Sequence, residues 1–305
     1  MARLRAGVHF ASSILVKAVA GLIVIKLLAW KLGPDGFGLL GQLMTLVAIT
    51  GMFAGGGITN GLIKVLAKSP IESKDGQAWL STAFTLTTII SALVAILLAV
   101  FFFILSDHLM QGGFAALFIC LGLAQAFVGY GSLIQAEASS RGESGFYAKV
   151  NILGTLLGTA ILAVSVSFFG FNGAAYSVML MPAITGIVAF LFMFFHRRQL
   201  LKFFRFLFDR IRMRHLMSFS VLALVGSTSV PIAQILMRDG LAQQFGWEQV
   251  GLWQGVIKLS DVYMQFVGVV LMNYVLPRYA SASNVHSVIE EFKLSLMWLL
   301  SALLL

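Results

Sequence analysis

Residues 6–40 read AGVHFASSILVKAVAGLIVIKLLAWKLGPDGFGLL: 25 mostly apolar residues, a six-residue break, and the start of a second apolar run. A bilayer core of about 30 Å takes about 20 such residues per spanning helix, so this stretch predicts a first span, a tight turn and a second span. Tilted barrel strands are only about ten residues long and alternate in polarity. Backbone groups in lipid must be satisfied within the segment, which leaves helices.

The same pattern continues outward along the chain. It predicts spans over 6–30, 37–67, 79–105, 114–138, 146–169, 173–195, 216–237 and 251–276, and a ninth beginning near Val288. Composition agrees: 59% of the 305 residues are hydrophobic, 11% are charged, and mean hydropathy is +0.93. A soluble domain carries about 25% charged residues. The ninth span is still running at Leu305, so the parent chain is expected to continue beyond it.

Lys and Arg are retained in short cytoplasmic loops. With the N-terminus inside, Arg3, Arg5, Lys64, Lys68, Lys74, Arg141, Lys149, the basic run from Arg197 to Arg214, Arg278 and Lys293 all fall on or near that side. The opposite loops hold little beyond Lys31 and Arg238, each beside an aspartate, Asp35 and Asp239. The net charge of +9 is thereby explained by topology. The stretch His196 to His215 could pass for a nucleic-acid patch, but it lies between two spans. Its Phe203, Phe204, Phe206, Leu207 and Phe208 make an amphipathic segment suited to anionic headgroups, so no nucleic-acid partner is expected. Arg3 and Arg5 precede a run too long for a signal peptide and lacking a small-residue cleavage site. It reads as a retained span. The single cysteine, Cys120, excludes an internal disulfide.

An internal repeat sharpens the architecture. Gly33-Pro34-Asp35-Gly36-Phe37-Gly38-Leu39 aligns with Gly246-Trp247-Glu248-Gln249-Val250-Gly251-Leu252 at an offset of 213 residues. Each Gly-x4-Gly-Leu joins an outer turn to an apolar helix. Parallel repeats of this kind build two-lobed transporters. The expectation is an N-terminal lobe of six helices over 1–196, a basic cytoplasmic linker over 197–215, and the first part of a second lobe over 216–305. Twelve helices would complete the parent chain.

Charges within a bilayer cost about 2.5–3.5 kcal/mol even on lenient scales and face the protein interior. Gln254, Lys258, Asp261 and Gln265 are spaced four, three and four apart, one stripe of a helix, and Asp261 lies near mid-span. The functional reading is a cavity wall with Asp261 as the coupling group; the static alternative is a Lys258–Asp261 pair that stabilises packing. Pro231, Gln234 and Arg238 follow Ser227, Thr228 and Ser229 on the seventh span, where proline predicts a bend. Arg238 is a candidate ligand for substrate or an anchor at the outer interface. In the first half, Lys17 and Lys26 lie within span one. Asn60, Lys64 and Lys68 recur every fourth residue on span two, below Gly55-Gly56-Gly57, where close helix approach or local unwinding is expected. Lys64 and Lys68 also read as snorkelling side chains.

Val250-Gly251-Leu252-Trp253-Gln254-Gly255-Val256, Ser260-Asp261-Val262-Tyr263-Met264-Gln265-Phe266 and Leu276-Pro277 resemble the Wzx-type flippases of the multidrug/oligosaccharidyl-lipid/polysaccharide exporter superfamily. Leu15-Val16-Lys17, Gly21-Leu22, Lys26-Leu27-Leu28-Ala29, Gly33-Pro34, Gly57-Ile58, Asn60-Gly61 and Lys64 are similar to them as well. The resemblance covers nearly the whole chain and is weakest over spans three to six. It implies an all-α, two-lobe inner-membrane transporter that moves an undecaprenyl-diphosphate-linked oligosaccharide outward by alternating access, for O-antigen or enterobacterial common antigen assembly. Polysaccharide polymerase and chain-length proteins would be its partners. It carries over Lys17, Lys26, Asn60, Lys64, Gln254, Asp261 and Gln265; Lys258 departs from the pattern.

Two other classes compete. A cation-coupled multidrug exporter of the same superfamily would use acidic and aromatic cavity groups, whereas the intramembrane charges here are mainly basic. A polysaccharide-polymerising enzyme would carry a large outer loop or clustered catalytic groups. The outer loops are short, and His9, His108, His196, His215 and His286 are scattered without metal-ligand spacing. No P-loop is present. No metal or cofactor is expected.

Overall fold

The computed structural model describes residues 2–102, 105 and 115–270. Among these, α1 spans Ala2–Gly51 and runs through a π-helical turn, Met52–Gly56, into α2, Gly57–Lys68. Then come α3 (Lys74–Val100), α4 (Ala115–Ser140), α5 (Ser144–His196), a 3-10 turn over Arg198–Phe203, and α6 (Arg210–Val270). The expected ninth span, Leu276-Pro277, Arg278 and Lys293 lie outside the described residues.

The 50 residues of α1 would measure about 75 Å as one rod. That is more than twice the apolar thickness of a bilayer, so the helix must break. It does so at Gly33, where φ is 68° and ψ is 178°, just before Pro34, which bars its predecessor from the α region. α6 breaks the same way at Gly246, with φ 83° and ψ 167°, and α5 at Gly170. Five helices are long and apolar enough to cross a membrane, and these three breaks divide them into the eight spans expected before residue 270. The chain is an all-α, multi-pass membrane protein.

Several boundaries differ from expectation because caps extend the helices. α3 begins at Lys74, a turn before Trp79, because the Ser73 hydroxyl accepts the Gly76 amide at 3.0 Å. α6 begins at Arg210, more than a turn before Leu216, because Asp209 accepts the Ile211 and Arg212 amides at 3.1 and 3.0 Å. The Gly55–Gly57 cluster marks the end of the π-helical turn, the expected local unwinding. α6 runs helical through Pro231, and its break falls at Gly246, at the turn that the repeat predicts. The hydroxyls of Thr228 and Ser229 bond back to the Leu224 and Val225 carbonyls at 2.7 and 2.6 Å.

Two apolar clusters fill the bundle. One gathers Leu28, Phe37, Leu40, Phe118, Leu162 and Met179 towards the glycine breaks. The other gathers Ile58, Leu62, Leu80, Leu133, Met193 and Leu200 towards the opposite end. A polar layer separates them, in which Gln125 donates to the Thr50 hydroxyl at 3.3 Å and to the Leu121 carbonyl at 3.2 Å.

The two repeats touch at their glycines. A Cβ on Gly38 would lie 2.9 Å from the Trp247 carbonyl oxygen, and a Cβ on Gly251 would run into the Pro34 carbonyl. Pro34 and Trp247 are equivalent at the same offset of 213 residues. Each repeat therefore offers the same glycine to the same carbonyl of the other, the reciprocity of a twofold contact.

At the opposite end, charge ties the loops together. The Glu137 carboxylate is 2% exposed and bridges Arg141 and Arg197; Arg141 reaches on to Glu72, and Arg197 to Glu143. The segment after α5 is docked rather than laid on a surface. Ser81 donates to the Phe203 carbonyl at 2.8 Å, the Leu207 amide donates to Thr85 at 2.8 Å, and Phe84 meets the Phe204 and Phe206 rings. Arg212 continues the clamp with Asp75 at 2.7 Å, over the Trp79 ring. Phe206, Leu207 and Phe208 keep the exposed apolar edge that the amphipathic pattern predicts.

Candidate functional site

A cleft of about 570 Å³ opens between α1 and α6 and reaches α4 and α5. Its α1 wall is apolar, from Gly21 and Val24 to Met44, Val47 and Met52, and Met181 and Pro182 close it from α5. The polar wall is α6, with Lys258, Asp261 and Gln265 spaced so that one helical face enters the cleft. A second hollow of about 290 Å³ adjoins it, shares Gly21, Val24, Met181 and Pro182, and adds Lys17, Thr155, Thr159 and Thr185.

Three expected site residues, Lys258, Asp261 and Gln265, thus share the cleft, and a fourth, Lys17, lines the adjoining hollow. Lys258 donates to Asp261 at 2.9 Å, so the pair exists, and it lines a cavity rather than a packed contact. Among the described residues no carboxylate pairs with Lys17, and Asp261 is engaged by Lys258 instead. The two hollows together hold two ammonium groups against one carboxylate, Asp261, which also acts through space on Arg238 above the cleft. Low-dielectric walls strengthen such a field, with unit charges 4 Å apart interacting by about 4 kcal/mol at an effective dielectric of 20.

Arg238 and Gln254 lie outside the cleft, in a sealed contact above it. Arg238 is fully buried despite its charge. Its Nε and Nη2 donate to Gln254 Oε1 at 3.0 and 2.8 Å, and its Nη1 donates to the Thr45 hydroxyl at 2.8 Å. The Trp253 ring covers the guanidinium. Gln254 packs on Gly41, where a Cβ would sit 2.7 Å from its side chain. These contacts and the Gly38–Gly251 approach close the cleft on the side of the glycine breaks. Thr45, the partner 193 positions away in sequence, escapes sequence reasoning because nothing in its own span marks it.

Lys26, Asn60 and Lys64 are exposed and line neither hollow. Lys64 stacks over the Phe219 ring, 4.9 Å from its centroid, where Gly57 and Gly61 pack against the start of α6. Among the described residues no group of three His, Cys, Asp or Glu side chains could hold a metal ion.

The fold matches solved transporters. It superimposes on an inward-facing multidrug resistance MATE family transporter of the MOP superfamily with a TM-score of 0.65 at 15% identity, over 95% of this chain and 72% of that one. An outward-facing MATE structure matches with a TM-score of 0.60 at 13% identity, over 96% and 68%. At such identities the likeness concerns architecture alone.

Sequence narrows the class. A family model for polysaccharide biosynthesis proteins matches residues 27–305. The lipid III flippases of Escherichia coli K12 and Shigella flexneri are each 31% identical over 307 aligned residues, covering 99% of this chain and 73% of theirs. The chain belongs to the polysaccharide biosynthesis protein family.

Proposed function

We propose that this transporter is a flippase that carries an undecaprenyl-diphosphate-linked oligosaccharide from the cytoplasmic to the periplasmic leaflet by alternating access. The reading rests above all on the similarity to lipid III flippases over 99% of this chain and 73% of theirs. The cleft chemistry agrees with it: Lys17 and Lys258 supply cations for a diphosphate, and Gln265 and the threonines near Lys17 offer hydrogen bonds to phosphate and sugar oxygens. Asp261, already bonded to Lys258, is placed to compete with the diphosphate for that ammonium. Its protonation state would set how firmly substrate is held, which is the coupling role.

The orientation goes with this reading. Basic side chains concentrate at the end carrying the Arg197–Arg214 segment, so we assign that end and the N-terminus to the cytoplasm of the inner membrane. The glycine breaks then face the periplasm. The reciprocal glycine contact supports a two-lobe division, 1–196 and 216 onward, joined by the docked linker 197–215. Polymerase and chain-length proteins, which consume the delivered glycan, are the partners this role requires.

A multidrug-exporter reading is less well supported, because the multidrug relatives share only the fold. The deciding experiment is leaflet-to-leaflet transfer of a polyprenyl-diphosphate oligosaccharide in proteoliposomes of the full-length protein. Transfer is expected for the native chain and should fall by more than about tenfold in Lys17→Ala, the loss of one charge-assisted contact of about 1.5–3 kcal/mol. Folded protein that leaves this lipid in place but moves a cationic drug would overturn the assignment.

A further inference from the structure

The seal above the cleft contains a charge with no carboxylate in contact with it. Arg238 is completely buried, its three hydrogen bonds end on the neutral oxygens of Gln254 and Thr45, none of the ion pairs among the described residues includes it, and Asp261 acts on it only through space. The amide nitrogen of Gln254 and Oε1 of neighbouring Gln42 are likewise buried without a partner. A guanidinium out of water is held at a high desolvation cost unless a carboxylate compensates it. Here the compensation is partial, so the closed contact is only weakly favoured. Beside it, Gly38 and Gly251 bring main chain against the facing carbonyls.

We propose that Arg238, Gln254 and Thr45 form a latch for the outer end of the transport path, tuned to be weak, and that Arg238 and Gln254 are positioning residues of this closure rather than ligands of the substrate. In the closed state Gln254 spans the gap between Arg238 on one arm of α6 and Gly41 on α1. As the outer side opens, α1 and the second arm of α6 part, and the guanidinium regains water. The desolvation recovered at Arg238 offsets the hydrogen bonds broken, so substrate binding lower in the cleft can tip the equilibrium. This rests on the alternating-access reading above, and it makes sign-opposed predictions that need no substrate.

The test is the distance between spin labels at Asp35→Cys and Glu248→Cys, exposed positions flanking the seam, in the full-length protein freed of native cysteines, Cys120 included. The parent should show mainly the short distance. Gln254→Leu strips the buried cation of its acceptor and should raise the ratio of long to short by about tenfold or more, the equivalent of losing hydrogen bonds to a charged group. Gln254→Glu puts a carboxylate in direct contact with the guanidinium and should lower that ratio. Arg238→Met combined with Gln254→Leu replaces the buried polar set with apolar groups and should return the seam to the closed form. In transport, Gln254→Glu should reduce kcat while leaving KM near the parent value. Shifts of the same sign for Gln254→Leu and Gln254→Glu, or none for either, would overturn the latch, as would a KM effect without a change in distance. Gln254→Glu is nearly isosteric, so the test survives if Gln254→Leu does not fold. Failure to flip a lipid-linked glycan, with these distance shifts intact, would count against the substrate assignment alone.

Discussion

Asp261 is held by Lys258 one turn earlier on the same helix, and this pair decides how the cleft charges work. Replacing Asp261 with Asn leaves the ammonium without its internal competitor, so the diphosphate should bind more tightly and leave more slowly. In proteoliposome transfer, Asp261→Asn is expected to lower both KM and kcat, kcat by roughly tenfold, about 1.4 kcal/mol on the release barrier, and to abolish any response to an imposed pH gradient. A raised KM would instead make Asp261 a direct sugar contact. Asp209 presents a simpler titration outside the spans. The Arg212 backbone amide, followed by its guanidinium, holds the Asp209 carboxyl below its usual range. A depressed folded pKa means its contribution is complete above the unfolded value of about 3.9 and disappears as pH falls through the folded one. Thermal unfolding in detergent should therefore show Asp209→Ala less stable than the parent at pH 7, with the gap closing in strong acid. A gap that persists there would assign the cap's worth to packing.

At the scale of elements, what could be read in advance was whatever depends on neighbours in sequence. Apolar run length located the spans, and helical spacing placed Lys258, Asp261 and Gln265 on one face. The ends of α3 and α6 were also written locally, in Ser73 and Asp209, but apolar runs begin later than capped helices do. Gln254 shows where sequence reasoning stops: it shares the stripe of Lys258, Asp261 and Gln265, yet whether the upper part of that stripe faces a cavity or a seal depends on which residues of α1 come to meet it. Glu137 was equally hidden. As a carboxylate at the end of α4 it looks like a loop charge, and only the packing of α4 against α5 and the following turn buries it between Arg141 and Arg197. Removing it should cost this end of the bundle about 2–3 kcal/mol, less than the 3–5 of a fully buried pair because the two arginines stay 35% and 21% exposed. Glu137→Ala would then lower the unfolding temperature, whereas Glu137→Gln keeps an acceptor oxygen for one of the two arginines and should lose less.

For the whole molecule, binding and conformation share one equilibrium, so a ligand that fits the cleft must stabilise the fold. At about 100 times its Kd such a ligand contributes about 2.7 kcal/mol. Polyprenyl diphosphate should accordingly raise the unfolding temperature of the native protein, an uncharged polyprenol should do so far less, and the difference should vanish in a Lys17→Ala, Lys258→Ala double variant. Equal shifts from both lipids would locate recognition in the hydrocarbon chain. The two-lobe plan was the most distant inference from sequence, since a seven-residue likeness at one offset had to stand for half a protein. The likeness itself recurs in the fold because both copies solve one problem, a sharp turn between two helical arms, and each answers it with a glycine at positive φ.

The meeting of Gly38 with the Trp247 carbonyl and of Gly251 with the Pro34 carbonyl is complementarity between main chains. Side chains contribute nothing to that fit beyond their absence. Changes in the residues that line the cleft can then alter which glycan is accommodated without disturbing how these ends mate, because the mating surface is built from main chain. A carrier of this design can change its cargo and keep the same door.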